Sequence, residues 1–189
     1  MKNIGVLSLQ GGFEKHLGMV ARCGARGVEI RYSRELHEVD GLILPGGEST
    51  TIGKLLDRNG FIPEIQKLLS KNFPVFGTCA GTILLADTIE GSTQVKIGGL
   101  PITIERNAYG SQVDSFESLL EIELSNPITF PGVFIRAPRI TFLGKGVETL
   151  SVLDDDPVFI RYNSIIAATF HPELTTNLAI HDYFIRNIV

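Results

Sequence analysis

Residues 74–86 read PVFGTCAGTILLA and join a short apolar strand, a glycine-flanked turn and the start of a helix. Cys79 lies between Gly77 and Gly81 in the spacing glycine, any residue, nucleophile, any residue, glycine. This spacing is typical of a nucleophile elbow, which projects the reactive side chain above the carboxyl edge of a sheet. The helix N-terminus favours the thiolate because its free N–H groups stabilise negative charge. A buried structural cysteine beside a tight turn is the alternative interpretation.

Strand and helix patterns alternate through the half of the chain that contains this turn. The predicted strands are residues 4–9, 28–32, 41–44 and 74–76, and the predicted helices are residues 13–23, 48–57, 62–69 and 80–86. Such alternation predicts right-handed crossovers and a parallel sheet with helices on both faces.

The second half of the chain is richer in strands. Short strand patterns cover residues 95–104, 119–124, 133–136, 147–153, 158–161 and 164–170. A final helix is predicted from near Thr175, with Leu178, Ile185 and Ile188 on one side. These strands are expected to add antiparallel or mixed pairing to the parallel core. The 189 residues predict one domain over 1–189, of the α/β class, with three αβα layers and a mainly parallel central sheet.

The composition excludes several classes of protein. Hydrophobic residues make up 43% of the chain and charged residues 20%, which excludes wholesale disorder. The formal net charge is −4 and no long basic block occurs, so no nucleic-acid partner is expected. No apolar run is long enough for a membrane span, and the N-terminus does not resemble a signal peptide. Two cysteines are too few for a disulfide framework, so a cytoplasmic location is predicted.

A thiolate that performs acyl transfer needs an imidazole partner, and His171 is the candidate. It follows an apolar strand pattern in the sequence TFHPEL, residues 169–174. Residues two apart in an extended segment point to the same side, so Glu173 is expected to orient the His171 ring. Together with Cys79 this gives a Cys-His-Glu triad. An isolated His-Pro-Glu sequence would be interpreted as a surface turn.

The other three histidines carry weaker signals. His16 is expected to serve in packing, with a role at an interface as the alternative, whereas His37 and His181 are predicted to lie on the surface. No histidines or cysteines have the spacing of metal ligands, so no metal site is expected.

A second glycine-rich turn, PGGEST at residues 45–50, also follows a predicted strand. It does not match a Walker A phosphate loop, because five residues separate Gly47 from the sequence Gly53-Lys54-Leu55. Backbone N–H groups at such a junction can instead stabilise an oxyanion. The predicted donors above Cys79 are the N–H groups of Gly47 and Ala80.

Two arginines in polar and aromatic surroundings are candidates for binding a carboxylate. Arg106 lies in ERNAYG and Arg136 in FIRAP. A guanidinium can bind a carboxylate through two parallel hydrogen bonds. A surface salt bridge is the alternative interpretation of either residue.

Six motifs together resemble the glutaminase subunits of pyridoxal 5′-phosphate synthase, which are class I glutamine amidotransferases. The motifs are LSLQGG, LILPGGEST, FGTCAG, ERNAYGSQVDSF, VFIRAPRI and FHPELT. The resemblance runs from residue 4 to near the C-terminus. A Cys-His-Glu triad alone would indicate only the class, whereas PGGEST, ERNAYG and FIRAP select this member.

The resemblance implies a flavodoxin-like fold and the hydrolysis of L-glutamine through a thioester, without a cofactor. It implies that Cys79 attacks the amide carbon, that His171 transfers the proton and that Glu173 orients His171. The residues implied to bind glutamine are Gly47, Glu48, Ser49, Arg106, Ile135 and Arg136.

The resemblance also implies a partner, the synthase subunit that builds pyridoxal 5′-phosphate from a pentose phosphate and a triose phosphate. The ammonia would be channelled to that subunit inside a hetero-oligomeric lyase complex, and the glutaminase would be nearly idle until the subunit docks. Our hypothesis is that Gln10 couples docking to the oxyanion hole.

Two positions depart from the family pattern. Lys15 precedes His16 where the family has Glu-His, and Ser111 follows Gly110 where the family has arginine. Both are expected to concern the partner surface or the glutamine-site loops. Three alternatives remain: the glutaminase of another pathway such as imidazole glycerol phosphate synthase, a non-catalytic regulatory module, and a hydrolase or protease with the same elbow.

Overall fold

The computed structural model describes residues 1–106, 108 and 115–189. Ser111, with Gly110 and Gln112 beside it, lies outside the described residues.

The first half of the chain alternates strands and helices as predicted. Its elements are β1 (Asn3–Leu7), α1 (Phe13–Arg22), β2 (Arg26–Ile30), β3 (Gly41–Leu44), α2 (Ser49–Arg58), α3 (Phe61–Leu69), β4 (Val75–Thr78) and α4 (Ala80–Leu85), with a 3₁₀ helix at Ser33–Glu38. Pro63 lies in the first turn of α3, where its missing N–H costs no hydrogen bond.

Within the described residues, the second half of the chain contributes eight strands and a short helix. These are β5 (Ala86–Ile89), β6 (Leu100–Glu105), β7 (Ser115–Ile122), β8 (Ile128–Ile135), β9 (Arg139–Leu143), β10 (Glu148–Leu153), β11 (Asp156–Tyr162), β12 (Ile165–Ala168) and α5 (Ala179–Tyr183). A 3₁₀ turn covers Pro172–Leu174, and a π-helical turn at Phe184–Ile188 extends α5.

In the part of the chain that the structure describes, the central sheet has seven strands in the order β10-β11-β12-β4-β3-β1-β2. The five strands from β12 to β2 run parallel, whereas β11 and β10 are added by antiparallel pairing. The predicted mainly parallel sheet with antiparallel additions is therefore confirmed. Two smaller sheets, β5-β6-β9 and the hairpin β7-β8, pack beside it.

The central sheet lies between two layers of helices, and apolar residues pack on both of its faces. Neighbouring residues of β3 divide between the faces: Leu42 and Leu44 belong to one apolar cluster, and Ile43 to the other. Side chains of α2, α3 and α4 complete the first cluster, and those of α1 and α5 complete the second. The parallel strands read as continuous apolar runs because both of their faces are buried.

Several elements differ from the predictions. The strand predicted over 95–104 is shorter in the structure, where β6 begins only at Leu100. Gly98 and Gly99 adopt positive φ angles of 76° and 94°, which interrupt the extended backbone before it. Strands β5 and β9 were not predicted. The final helix begins at Ala179 rather than near Thr175, because the Asn177 side chain accepts the Ala179 N–H at 3.0 Å. Among the described residues, no helix has the length and apolar character that a membrane crossing requires.

Candidate active site

Cys79 lies in the turn between β4 and α4. Its N–H donates to the carbonyl of Ala168 at 2.9 Å, which extends the pairing of β4 with β12 by one residue. The backbone then turns with φ of 46°, a value that few residues other than glycine adopt. Its side chain is buried, and Sγ lies 3.9 Å from the Ile135 carbonyl oxygen. Such strain in a turn is common at functional sites.

His171 reaches Cys79 from the end of β12. Its N–H donates to the Val133 carbonyl at 2.8 Å, and its Nδ1 lies 2.8 Å from Glu173 Oε1. Pro172 and Glu173 form a 3₁₀ turn, so the expected extended segment is wrong although the two side chains do meet. A Cβ at Gly46 would lie 2.9 Å from His171 Nδ1 and 3.4 Å from Cys79 Cβ. Glycine at position 46 therefore permits this close approach.

The electrostatics of the site favour an ionised pair of His171 and Glu173. Burial would lower the pKa of His171, but the Cys79 side chain and the Glu173 carboxylate outweigh burial and raise this pKa to about 10. Burial would raise the pKa of Glu173, but His16 and His171 outweigh it and lower that pKa. At neutral pH, His171 is therefore an imidazolium held by a carboxylate.

The titration of His171 tests this arrangement. Its pKa in the folded protein exceeds the ordinary value near 6.5, so its contribution to stability is complete below about pH 6.5 and is lost as the pH rises toward 10. In wild-type protein we expect the His171 ring resonances to titrate near pH 10, and in Glu173→Gln at a lower pH. Ring NMR against pH, assigned with His171→Asn, measures both values. A wild-type midpoint near 6.5 would contradict the prediction.

Most of the predicted site residues border one cleft with a volume of about 370 Å³. The residues that line it are Gly47, Glu48, Ser49, Cys79, Ile83, Arg106, Ile135, Arg136 and His171. All six residues implied to bind glutamine are thus brought together with Cys79 and His171. Ala80 follows Cys79 as the first residue of α4, and Glu173 lies behind His171.

Arg106 is held by three side chains at the wall of this cleft. Its Nη1 donates to Gln94 Oε1 at 2.6 Å and to Thr50 Oγ1 at 3.1 Å, and its Nη2 lies 3.5 Å from Glu48 Oε1. No motif in residues 86–99 pointed to Gln94, so Gln94 is a site residue that was not predicted. Hydrogen bonding to Thr51 and Thr50 lowers the pKa of Glu48 to about 2, against the opposing effect of burial.

Two loops at the carboxyl edge of the sheet are bonded to each other. Gln10 Oε1 accepts the Glu48 N–H at 3.0 Å, and the Gly12 N–H donates to the Gly46 carbonyl at 3.0 Å. Gln10 therefore contacts the glycine-rich turn beside the cleft. Its role in coupling to a partner stays a prediction.

Two of the weaker histidines are buried behind the triad. His16 packs in the interior, as predicted, but the prediction that His181 lies on the surface is wrong, because both residues are fully buried. His181 lies on the inward face of α5, with its ring centroid 5.7 Å from that of Phe76. His37 is exposed near Glu64. Within 1–106, 108 and 115–189, no cluster of three His, Cys, Asp or Glu side chains could hold a metal.

Comparison with known proteins gives consistent similarities. The sequence model of the SNO glutamine amidotransferase family matches residues 6–189. The chain is 49% identical to the pyridoxal 5′-phosphate synthase subunit PdxT of Dehalococcoides mccartyi over 97% of this chain and 95% of that protein. It is 46% identical to the PdxT of a Thermotoga species, over 98% of each. A crystal structure of a glutamine amidotransferase superposes with a TM-score of 0.92 at 46% identity, covering 96% of each chain.

Proposed function

The chain belongs to the SNO glutamine amidotransferase family, and from this premise we propose that Cys79, His171 and Glu173 hydrolyse L-glutamine. The protein is a glutaminase subunit of the pyridoxal 5′-phosphate synthase type, as its PdxT relatives are named. The observation that carries the residue assignment is the 2.8 Å contact between His171 and Glu173 in a cleft that Cys79 shares. The glutaminase of another pathway and the non-catalytic module are not favoured by these relatives.

The first half of the reaction forms a thioester. The Cys79 thiolate attacks the side-chain amide carbon of glutamine, and the carbonyl oxygen becomes an oxyanion. The N–H groups of Gly47 and Ala80 stabilise this charge, an effect whose loss typically costs about 3 kcal/mol of barrier height. The His171 imidazolium gives its proton to the amide nitrogen, the C–N bond breaks and ammonia leaves.

The second half regenerates the enzyme. The now neutral His171 accepts a proton from water, and the resulting hydroxide attacks the thioester carbon. The C–S bond breaks, glutamate is released and Cys79 becomes a thiolate again. Glu173 stays ionised throughout and stabilises the imidazolium that forms and disappears in each cycle.

The remaining residues of the cleft bind the amino-acid part of glutamine. Arg106 and Arg136 offer guanidinium groups to the α-carboxylate, and Arg106 is preorganised by its bonds to Gln94 and Thr50. Gly47, Glu48, Ser49 and Ile135 complete the binding site through their positions on the same cleft.

The partner of this glutaminase is a synthase subunit. We propose that residues 1–189 act as one cytoplasmic domain in a hetero-oligomer and that ammonia passes to the synthase without release into solvent. The unpaired state of Cys23 and Cys79 supports the cytoplasmic location. The contact of Gln10 with the glycine-rich turn supports its role in coupling docking to the oxyanion hole.

Glutamate release from L-glutamine, measured with and without the synthase subunit, tests this function. We expect weak release by the glutaminase alone and strong stimulation by the synthase subunit. The absence of release from folded protein with a verified partner would overturn the assignment.

A further inference from the structure

A chain of buried polar contacts continues behind Glu173. The second carboxylate oxygen, Glu173 Oε2, lies 3.4 Å from His16 Nε2 and has no hydrogen bond among the described residues. His16 Nδ1 lies 2.9 Å from His181 Nε2, and His16 Nε2 also lies 3.2 Å from Thr78 Oγ1. The side chain of His16 is fully buried, and that of Glu173 is 2% exposed.

The geometry selects one arrangement of protons. Burial, the largest effect, lowers the pKa of both His16 and His181, so each ring carries one proton. If His16 carries its proton on Nε2, that N–H faces the carboxylate and the Thr78 oxygen, and Nδ1 accepts from His181. In the opposite arrangement, a bare Nε2 would face the carboxylate. His181 Nδ1 would then bear a buried N–H that lacks an acceptor in the described part of the chain.

We propose that His16 is a positioning residue for Glu173, with its Nε2–H directed at Oε2, and that His181 fixes the tautomer that makes this possible. The inference rests on the proposed function, because it assigns a role to two residues through Glu173. Glu173 would then be contacted at both oxygens, by the hydrogen bond with His171 at Oε1 and by the 3.4 Å contact with His16 at Oε2. Partners of this kind behind a functional side chain fix its orientation and its basicity.

The neutral state of His16 is necessary for this role. A charged His16 would compete with His171 for the one carboxylate and would lower the affinity of His171 for its proton. Three other titratable groups face the pair formed by His171 and Glu173. They are Cys79 from the turn after β4, His16 from α1 and His181 from α5. His171 and Glu173 themselves belong to the segment that follows β12.

The test compares His16→Leu, His16→Gln and His181→Leu in the complex with the synthase subunit. Removal of the donor in His16→Leu should lower kcat about 10- to 100-fold while KM changes less than twofold. The alkaline limb of the pH profile should move to lower pH, because a loosely held carboxylate stabilises the imidazolium less. His16→Gln, which keeps an N–H donor, should retain most of the wild-type kcat. The kcat of His181→Leu should lie between those of His16→Leu and His16→Gln.

Several controls separate the possible outcomes. His37→Leu makes the same change at an exposed histidine and should leave kcat and the pH profile unchanged. Urea unfolding identifies loss of folding, and if His16→Leu does not fold, His181→Leu and His16→Gln decide the question. Wild-type pH profiles in all folded variants, or equal losses in His16→Leu and His16→Gln, would overturn the proposal. An inactive wild-type complex would overturn the proposed function instead, and the pH dependence of Cys79 alkylation by iodoacetamide would still test His16.

Discussion

Replacing Cys79 with alanine is expected to reduce glutamate release at least about 10⁴-fold in the complex with the synthase subunit. The variant lacks the sulfur that forms the thioester in the proposed mechanism, and His171, which is held by Glu173 at 2.8 Å, cannot replace it. Removal of one atom from a buried turn leaves the fold intact. The measurement is the initial rate of glutamate release at saturating glutamine, together with mass spectrometry of the trapped thioester.

Cys23→Ala provides the matched control for this prediction. The same substitution at the other buried cysteine, at the end of α1, should leave kcat unchanged and lower the free energy of unfolding slightly. Wild-type turnover by Cys79→Ala would contradict the proposed mechanism. Equal losses of activity in the two variants would indicate general damage to the fold rather than the removal of a nucleophile.

Gly81→Ala is expected to destabilise the protein by about 2–4 kcal/mol and to abolish activity. A Cβ at this position would lie 2.8 Å from the Leu44 carbonyl carbon and well inside van der Waals contact with its oxygen. The Leu44 backbone cannot move freely, because it pairs with Gly77 in the centre of the sheet. The clash therefore forces α4 and the Cys79 turn away from β3. Urea unfolding gives the loss of stability.

Gly18→Ala is the control for the glycine substitution. Gly18 is exposed on α1, and a Cβ there would meet no atom within 4 Å. Alanine should stabilise this helix by about 0.5–1 kcal/mol, the opposite sign to the effect at Gly81. A Gly81→Ala protein within 0.5 kcal/mol of wild type would show that the elbow tolerates a side chain, contrary to the expected clash.

The parallel half of the fold was predictable because its signals are local. Buried strands such as β3 are short apolar runs that end at glycine or proline, and β3 occupies the predicted residues 41–44. The glycines around Cys79 likewise identify a turn whose geometry requires small residues. Strand β9 was missed because β7 and β8 separate it in sequence from its pairing partner, β6. Strand β5 was missed because it begins at Ala86, where the sequence predicts the end of a helix.

The error at His181 has a different cause. Leu178, His181 and Ile185 follow one another at intervals of three and four residues, so the helical spacing places His181 on the apolar face. Histidine is less often buried than the apolar residues, which favours a surface position, but at His181 the helical spacing decides. The sequence around Gln94 contains no comparable pattern, because its role depends on the hydrogen bond that Arg106 donates to it in the folded structure.

Strand β12 has a consequence for the synthesis of the protein on the ribosome. It occupies the place beside β4, but it is translated only after β5 to β11 have been made. Until β12 arrives, the nascent chain leaves one edge of β4 without a partner, a state prone to misassociation. His171 follows β12 after Thr169 and Phe170, so the addition of β12 also brings the imidazole to the cleft that Cys79 borders. An incomplete chain thus contains Cys79 without His171, and the proposed catalytic pair is complete only when the sheet is whole.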